Sequence, residues 1–138
     1  MPIYSFKRNE RLRGRKNFAE LFDKGKVFTL SPFRITWMIV TGKDHKFPLQ
    51  AAFVVPKRNF KKASDRNRIR RRMKEAYRLH KNELKEIMGA SGKQLVFTCV
   101  YSGREESLYP EIENKIIVTL QRLAKETSGL SAIPVMQP

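Results

Sequence analysis

The stretch SDRNRIRRRMKEAYR, residues 64–78, constrains the fold more than any other part of the chain. Seven of its fifteen residues are Arg or Lys, yet Ile69, Met73, Ala76 and Tyr77 keep the three- and four-residue spacings that stack side chains on one face of an α-helix. At about 100° per residue, this apolar sector continues through His80, Leu84 and Ile87. The spacing predicts one long helix from about Asp65 to Met88, capped by Ser64 or Asp65 and closed near Gly89. Only a narrow stripe of it can enter a core. Asn67, Arg71, Lys74, Arg78 and Lys85 share one flank, Arg68 and Arg72 lie on the far side, and Arg66 and Arg70 fall at the margin of the stripe. Any fold must bury one side of this helix and leave the rest to water or to a partner.

The charge indicates which partner. Nearly all of the net +16 sits in residues 1–26, with eight basic residues against three acidic, and in residues 57–81, with twelve against two. The six basic residues between Arg66 and Lys74 have no acid among them. They forgo the i,i+4 ion pairs of an ordinary solvated face and repel one another unless an anion lies alongside. Arg predominates, and its planar fork binds phosphate bidentately and stacks on bases. Nucleic acid is therefore the expected polyanion. A membrane-surface helix asks for a broad Trp/Phe/Leu face that this stripe lacks, and no apolar run approaches the roughly 20 residues of a membrane span. The start MPIYSFKRNERLRGRK has no hydrophobic region of the kind that follows the basic residues of a secretory signal. The lone Cys99, inside the apolar run QLVFTCVY, reads as a small buried hydrophobe. A soluble cytoplasmic protein without a membrane partner is expected.

The rest of the chain supplies a sheet for that helix. RKNFAELFDKG reads as a short helix with Phe18, Leu21 and Phe22 at i, i+3 and i+4 and Gly25 placed to close it. KVFTLSPFRITWMIV has strand composition, broken at Pro32, with Phe33, Ile35, Trp37 and Ile39 on the core side and Arg34, Thr36 and Met38 opposite. TGKDHKFP carries turn residues expected to close a hairpin into a third strand, LQAAFVVP. QLVFTCVY reads as a fourth strand, and YPEIENKIIVTLQRLAKE as a helix with Ile112, Ile116, Leu120, Leu123 and Ala124 on its apolar stripe. The tail TSGLSAIPVMQP lacks periodicity. The prediction is a single α+β domain over residues 1–127 with a loosely ordered tail over 128–138. In the order helix, three strands, helix, strand, helix, it forms a two-layer sandwich with the basic and final helices on one sheet.

The side chains offer binding rather than catalysis. His45 lies in a turn and His80 on the apolar side of the long helix, neither with a Cys, Ser or carboxylate at the spacing of a triad or metal cluster. SGREES and GASGK lack the spacing of a phosphate-cradling loop. No catalytic residue and no metal site is expected. Asn67 can cap the helix, meet a ribose hydroxyl or neighbour a hydrated cation. Phe18 and Phe22 can be core or a stacking platform for bases. On charge alone a ribosomal RNA-binding protein is an alternative. A helix-turn-helix DNA binder is disfavoured, because the basic helix follows a strand.

RNRIRRRMKEAYR resembles the protein subunit of bacterial ribonuclease P, whose signature is Arg-Asn-Arg followed by Ile, two basic residues and a further basic helix. FVVPKRNFKKASDRNR resembles that family's third strand, basic pair and helix entry, and RLRGRKNFAELFDKG its first helix, so the likeness covers roughly residues 6–125. It implies an α+β fold with a left-handed β-α-β crossover, working beside a catalytic RNA that removes the 5′ leader from precursor tRNA. The family's RNA holds the catalytic metal ions, so Mg²⁺ belongs to the RNA–protein complex rather than to this chain. The likeness assigns Arg66, Asn67, Arg68, Arg70, Arg71, Lys74 and Arg78 to the catalytic RNA. It assigns Phe18, Phe22, Arg34, Thr36, Lys57 and Arg58 to a cleft for the single-stranded leader. It also implies one protein per catalytic RNA, with precursor tRNA as the second RNA partner.

Overall fold

The computed structural model describes residues 6, 10–40 and 47–136, with side chains through residue 127. The expected turn over 41–46, His45 included, lies outside the described residues. The elements are α1 (Arg15–Lys24), β1 (Lys26–Leu30), β2 (Phe33–Val40), β3 (Leu49–Val54), α2 (Ala63–His80), α3 (Asn82–Ser91), β4 (Gln94–Tyr101) and α4 (Tyr109–Met136).

The four strands form one sheet in the order β1-β2-β4-β3. β1 and β2 make an antiparallel hairpin around the cis Ser31–Pro32 bond. β2 pairs antiparallel with β4, from Phe33↔Tyr101 to Val40↔Gln94, and β3 pairs parallel with β4. The expected hairpin between the second and third strands therefore does not form, because β4 lies between them. The cause is burial: every residue from Leu95 to Cys99 is buried, and a strand buried on both faces belongs in the middle of a sheet. β3, α2, α3 and β4 make a crossover between neighbouring parallel strands.

One face of the sheet carries the main core. Phe33, Ile35 and Trp37 of β2 alternate inward as expected and join Phe53, Leu95, Phe97 and Tyr101. Against them pack Ile69, Met73, Ala76 and Tyr77 of α2, Leu84 and Met88 of α3, and Ile112, Ile116, Leu120 and Leu123 of α4. Trp37 is 2% exposed, so it is core. On the opposite face a small cluster of Leu12, Leu21 and Val96, flanked by Phe18 and Met38, seats α1 over part of the sheet. Toward Arg34, which is exposed, that face is open among the described residues.

The predicted single long helix is two. Lys81 falls four residues after Tyr77 and so on the same face; it is fully buried between α2 and α3. Its Nζ donates to Glu10 Oε1 at 2.6 Å and lies 5.6 Å and 5.7 Å from the ring centres of Phe6 and Tyr77. A buried ammonium needs this carboxylate, and the break at Lys81 accommodates the pair. His80, expected on the core side, is exposed instead, with Nε2 2.9 Å from Glu113 Oε2. Neither Ser64 nor Asp65 caps α2: Lys62 holds the N-cap position, and Asp65 pairs with Arg68 at 2.7 Å. The closing glycine is Gly92, at φ 72, rather than Gly89. α4 runs to Met136, through most of the segment expected to be loosely ordered.

Gly25 ends α1, donating its N–H to Leu21 O at 2.7 Å. Its φ of −75 is open to any residue. Glycine is needed there for space, because an added Cβ would collide with the Leu21 carbonyl and lie 2.9 Å from Thr36 Cγ2. α1 thus sits directly on β2.

Candidate nucleic-acid interface

Helix α2 presents its basic residues in three different states. Arg71 is exposed, as is Asn67, whose Oδ1 accepts from Arg70 Nη1 at 2.9 Å. Asn67 lies inside the helix, so the capping role falls away. Lys74 is half-buried, and burial followed by the charges of Arg11 and Arg70 pulls its pKa below the ordinary lysine value. A nearby anion would relieve that strain. Arg11, Arg71, Lys74 and Arg78, with Phe6 and Glu75, line a pocket of about 240 Å³. Arg78 is tied to Glu75 at 2.6 Å and 3.0 Å. Arg11 belongs to no helical or strand pattern that would nominate it, and only the basic composition of residues 1–26 points to it.

The remaining arginines hold loops. Arg66 Nη1 donates to the carbonyls of Phe60 and Lys61, both at 2.8 Å, fixing the β3–α2 connection. Arg68 grips Glu106 with two bonds, of 2.5 Å and 2.7 Å, and Asp65 with a third at 2.7 Å. Arg72 Nη1 reaches Glu106 Oε2 and Ser107 O, both at 2.8 Å. The Glu106 carboxyl is held below its usual range, first by the Arg68 hydrogen bond.

The open face of the sheet forms a groove of about 470 Å³ beside α1. Arg34 and Thr36 of β2 and Val100 of β4 lie on it, as the register Arg34↔Val100 requires. Phe22 and Val27 flank them, Pro56, Arg58 and Asn59 come from the β3–α2 connection, and Ser102 and Arg104 from the β4–α4 loop. Of the predicted cleft residues, Phe22, Arg34, Thr36 and Arg58 come together. The two phenylalanines divide: Phe22 is 57% exposed at the groove, whereas Phe18 is partly buried on the small cluster, its ring stacked on Phe22 at 6.4 Å. Lys57 is exposed but outside the lining. Strand alternation could have nominated Val27 and Val100. Nothing local in SGREES could have nominated Ser102 or Arg104, which depend on how the loop returns.

Among the described residues no three His, Cys, Asp or Glu side chains group as metal ligands would. No helix there is long and apolar enough to cross a membrane. What the groove does offer is an exposed ring among guanidinium groups, which suits the bases and phosphates of a single strand. The class so defined is a small basic α+β protein with three helices on one sheet face and, beside a fourth, a cationic groove on the other.

Residues 6–124 match the Ribonuclease P family model, and the chain belongs to that family. The ribonuclease P protein component of Porphyromonas gingivalis is 33% identical over 88 residues, 63% of this chain and 63% of the relative. That of Desulfosudis oleivorans is 36% identical over 84 residues, 61% of this chain and 65% of the relative. The matched stretch thus spans less than two thirds of these relatives. The fold is shared with the Staphylococcus aureus RNase P protein (TM-score 0.62, 18% identity, 84% of this chain and 95% of that one). It is shared also with the RNase P protein of Thermotoga maritima (TM-score 0.60, 23% identity, 82% and 96%).

Proposed function

We propose that this chain is the RNA-binding protein subunit of ribonuclease P, assisting a catalytic RNA in endonucleolytic removal of the 5′ leader from precursor tRNA. The observation that carries the reading is the placement of two cationic surfaces on one scaffold: the exposed flank of α2 and the groove on the open sheet face. Arg70, Arg71 and Lys74, with Asn67 bonded to Arg70, face the catalytic RNA, and Arg66, Arg68 and Arg78 border that surface from their ties to protein partners. The groove takes the leader, with Phe22 stacking on a base and Arg34 and Arg58 meeting phosphates beside Thr36. Phe18 supports Phe22 from below, and Lys57 adds charge alongside. The phosphodiester chemistry and its Mg²⁺ ions belong to the RNA. One protein serves one RNA in the cytoplasm, a reading to which the single buried Cys99 adds support.

The test is reconstitution with the catalytic RNA from the same organism. Adding the protein should raise precursor-tRNA cleavage at low Mg²⁺, where RNA self-repulsion is least screened. Absence of stimulation would refute the assignment.

A further inference from the structure

We infer that Arg104 is an additional contact for single-stranded RNA in the groove, held in place by Arg68 and Arg72 through Glu106. The inference rests on the groove being the leader site. Arg104 belongs to no predicted motif, yet it lines the same groove as Arg34 and Arg58, from a third element of the fold. Its loop is tied down on both sides. Ser102 donates its backbone N–H and its hydroxyl to Pro32 O at 2.7 Å and 2.9 Å. The Tyr101 hydroxyl donates to Glu105 O at 2.6 Å and accepts from the Ser107 N–H at 3.0 Å. Glu106 receives both arginines, and Arg72 also holds Ser107 O. Gly103 lets the loop pass close to the core, since an added Cβ there would lie 3.1 Å from the Tyr101 ring.

Arg104 itself is exposed and has no carboxylate partner among the described residues. A loop fixed by this many bonds keeps one unpaired guanidinium aimed at a groove, which is what preorganised phosphate recognition requires. Arg68 and Arg72 act here as positioning residues. Their donors are turned to Glu106, and their influence on the leader passes through the loop.

The experiment measures binding of precursor tRNAs with long and short leaders, and of mature tRNA, to the reconstituted RNA–protein complex. Arg104→Ala should weaken long-leader substrate roughly tenfold, leave mature tRNA unchanged and flatten the salt dependence by about one counterion. Arg104→Lys should keep the salt slope. Glu106→Gln should reproduce part of the loss for long leaders only, and the double variant Arg104→Ala/Glu106→Gln should be no weaker than Arg104→Ala alone. If Phe22→Ala and Arg34→Ala discriminate between leader-bearing and mature tRNA while Arg104→Ala does not, this inference fails and the leader reading stands. If none of the three discriminates, the leader reading fails with it. Tighter binding of both RNAs by Glu106→Gln would mean that Arg68 and Arg72 contact RNA themselves, which overturns the positioning role.

Discussion

Replacing Gly25 by Ala probes the seat of α1 and, with it, the wall of the groove. The new methyl group would lie 2.9 Å from Thr36 Cγ2, well inside the roughly 3.5–4.0 Å optimum for two carbons, and would press on the Leu21 carbonyl as well. Neither neighbour can yield easily. Leu21 O is backbone and already accepts the Gly25 N–H, and Thr36 lies in a central stretch of β2, 4% exposed. α1 must therefore retreat by roughly 1 Å. Overpacking of this kind costs about 1–3 kcal/mol, and weakening the Gly25–Leu21 hydrogen bond adds up to about 1 kcal/mol. Reduced freedom of the unfolded chain offsets about 0.4–1 kcal/mol. At the middle of these ranges the net loss is about 2 kcal/mol, read by urea denaturation with the buried Trp37, the single tryptophan of the chain, as fluorophore. Leader affinity should fall as well, since Phe22 rides on the displaced helix. Gly14→Ala is the control: φ is 95 there and the nearest atom to an added Cβ is 3.6 Å away. It should cost about 1–2 kcal/mol through backbone strain alone, without selective loss of leader binding. A loss below about 0.5 kcal/mol for Gly25→Ala would refute the account of how α1 is seated.

Four further outcomes follow from the geometry. Arg71→Ala and Lys74→Ala should each weaken binding to the catalytic RNA and reduce its salt slope by about one; an unchanged slope in filter binding removes that residue from the interface. Phe22→Ala should cost leader affinity with stability within about 0.5 kcal/mol of the parent, whereas Phe18→Ala should cost both, as calorimetry and leader competition would separate. Glu10→Ala removes the buried carboxylate 2.6 Å from Lys81 Nζ, and a loss of about 3–5 kcal/mol is expected in chemical denaturation. The Glu106 carboxyl is held below its ordinary value of 4.5 in the folded protein. Its contribution is therefore complete above about pH 4.5 and lost as pH falls through the depressed folded value. The stability difference between the parent and Glu106→Gln should shrink in that acid range and stay flat above it.

Elements governed by local pattern were legible in the sequence. The core stripe Ile69, Met73, Ala76 and Tyr77, the alternation Phe33, Ile35 and Trp37, and the α4 stripe from Ile112 to Leu123 are all buried as their spacing demands. What was not legible depends on partners distant in the chain. Lys81 looks like one more cation at the end of a basic run, and its buried partner Glu10 lies 71 residues earlier. The same holds for Arg68 and Arg72, which the helical projection places on a solvent side and which Glu106 claims from a loop over 30 residues away. The pairing of the third strand also depends on a segment distant in the chain. A turn-rich link such as TGKDHKFP favours a hairpin, but β4 is the more apolar strand and takes the central position. Half of the groove was visible because strand alternation fixes Arg34 and Thr36. The other half arrives on loops.

The central position of β4 also sets an order of events during synthesis. β4 is the strand that joins the β1–β2 hairpin to β3, and it is translated after α2. A nascent chain that has just completed α2 has its twelve basic residues of 57–81 but no strand to connect the two parts of the sheet, and so no complete floor for that helix. It is then a polycation beside the ribosome's own RNA, with its acidic partner Glu106 still unmade. Completion of β4 and of the loop after it converts that indiscriminate charge into a shaped surface.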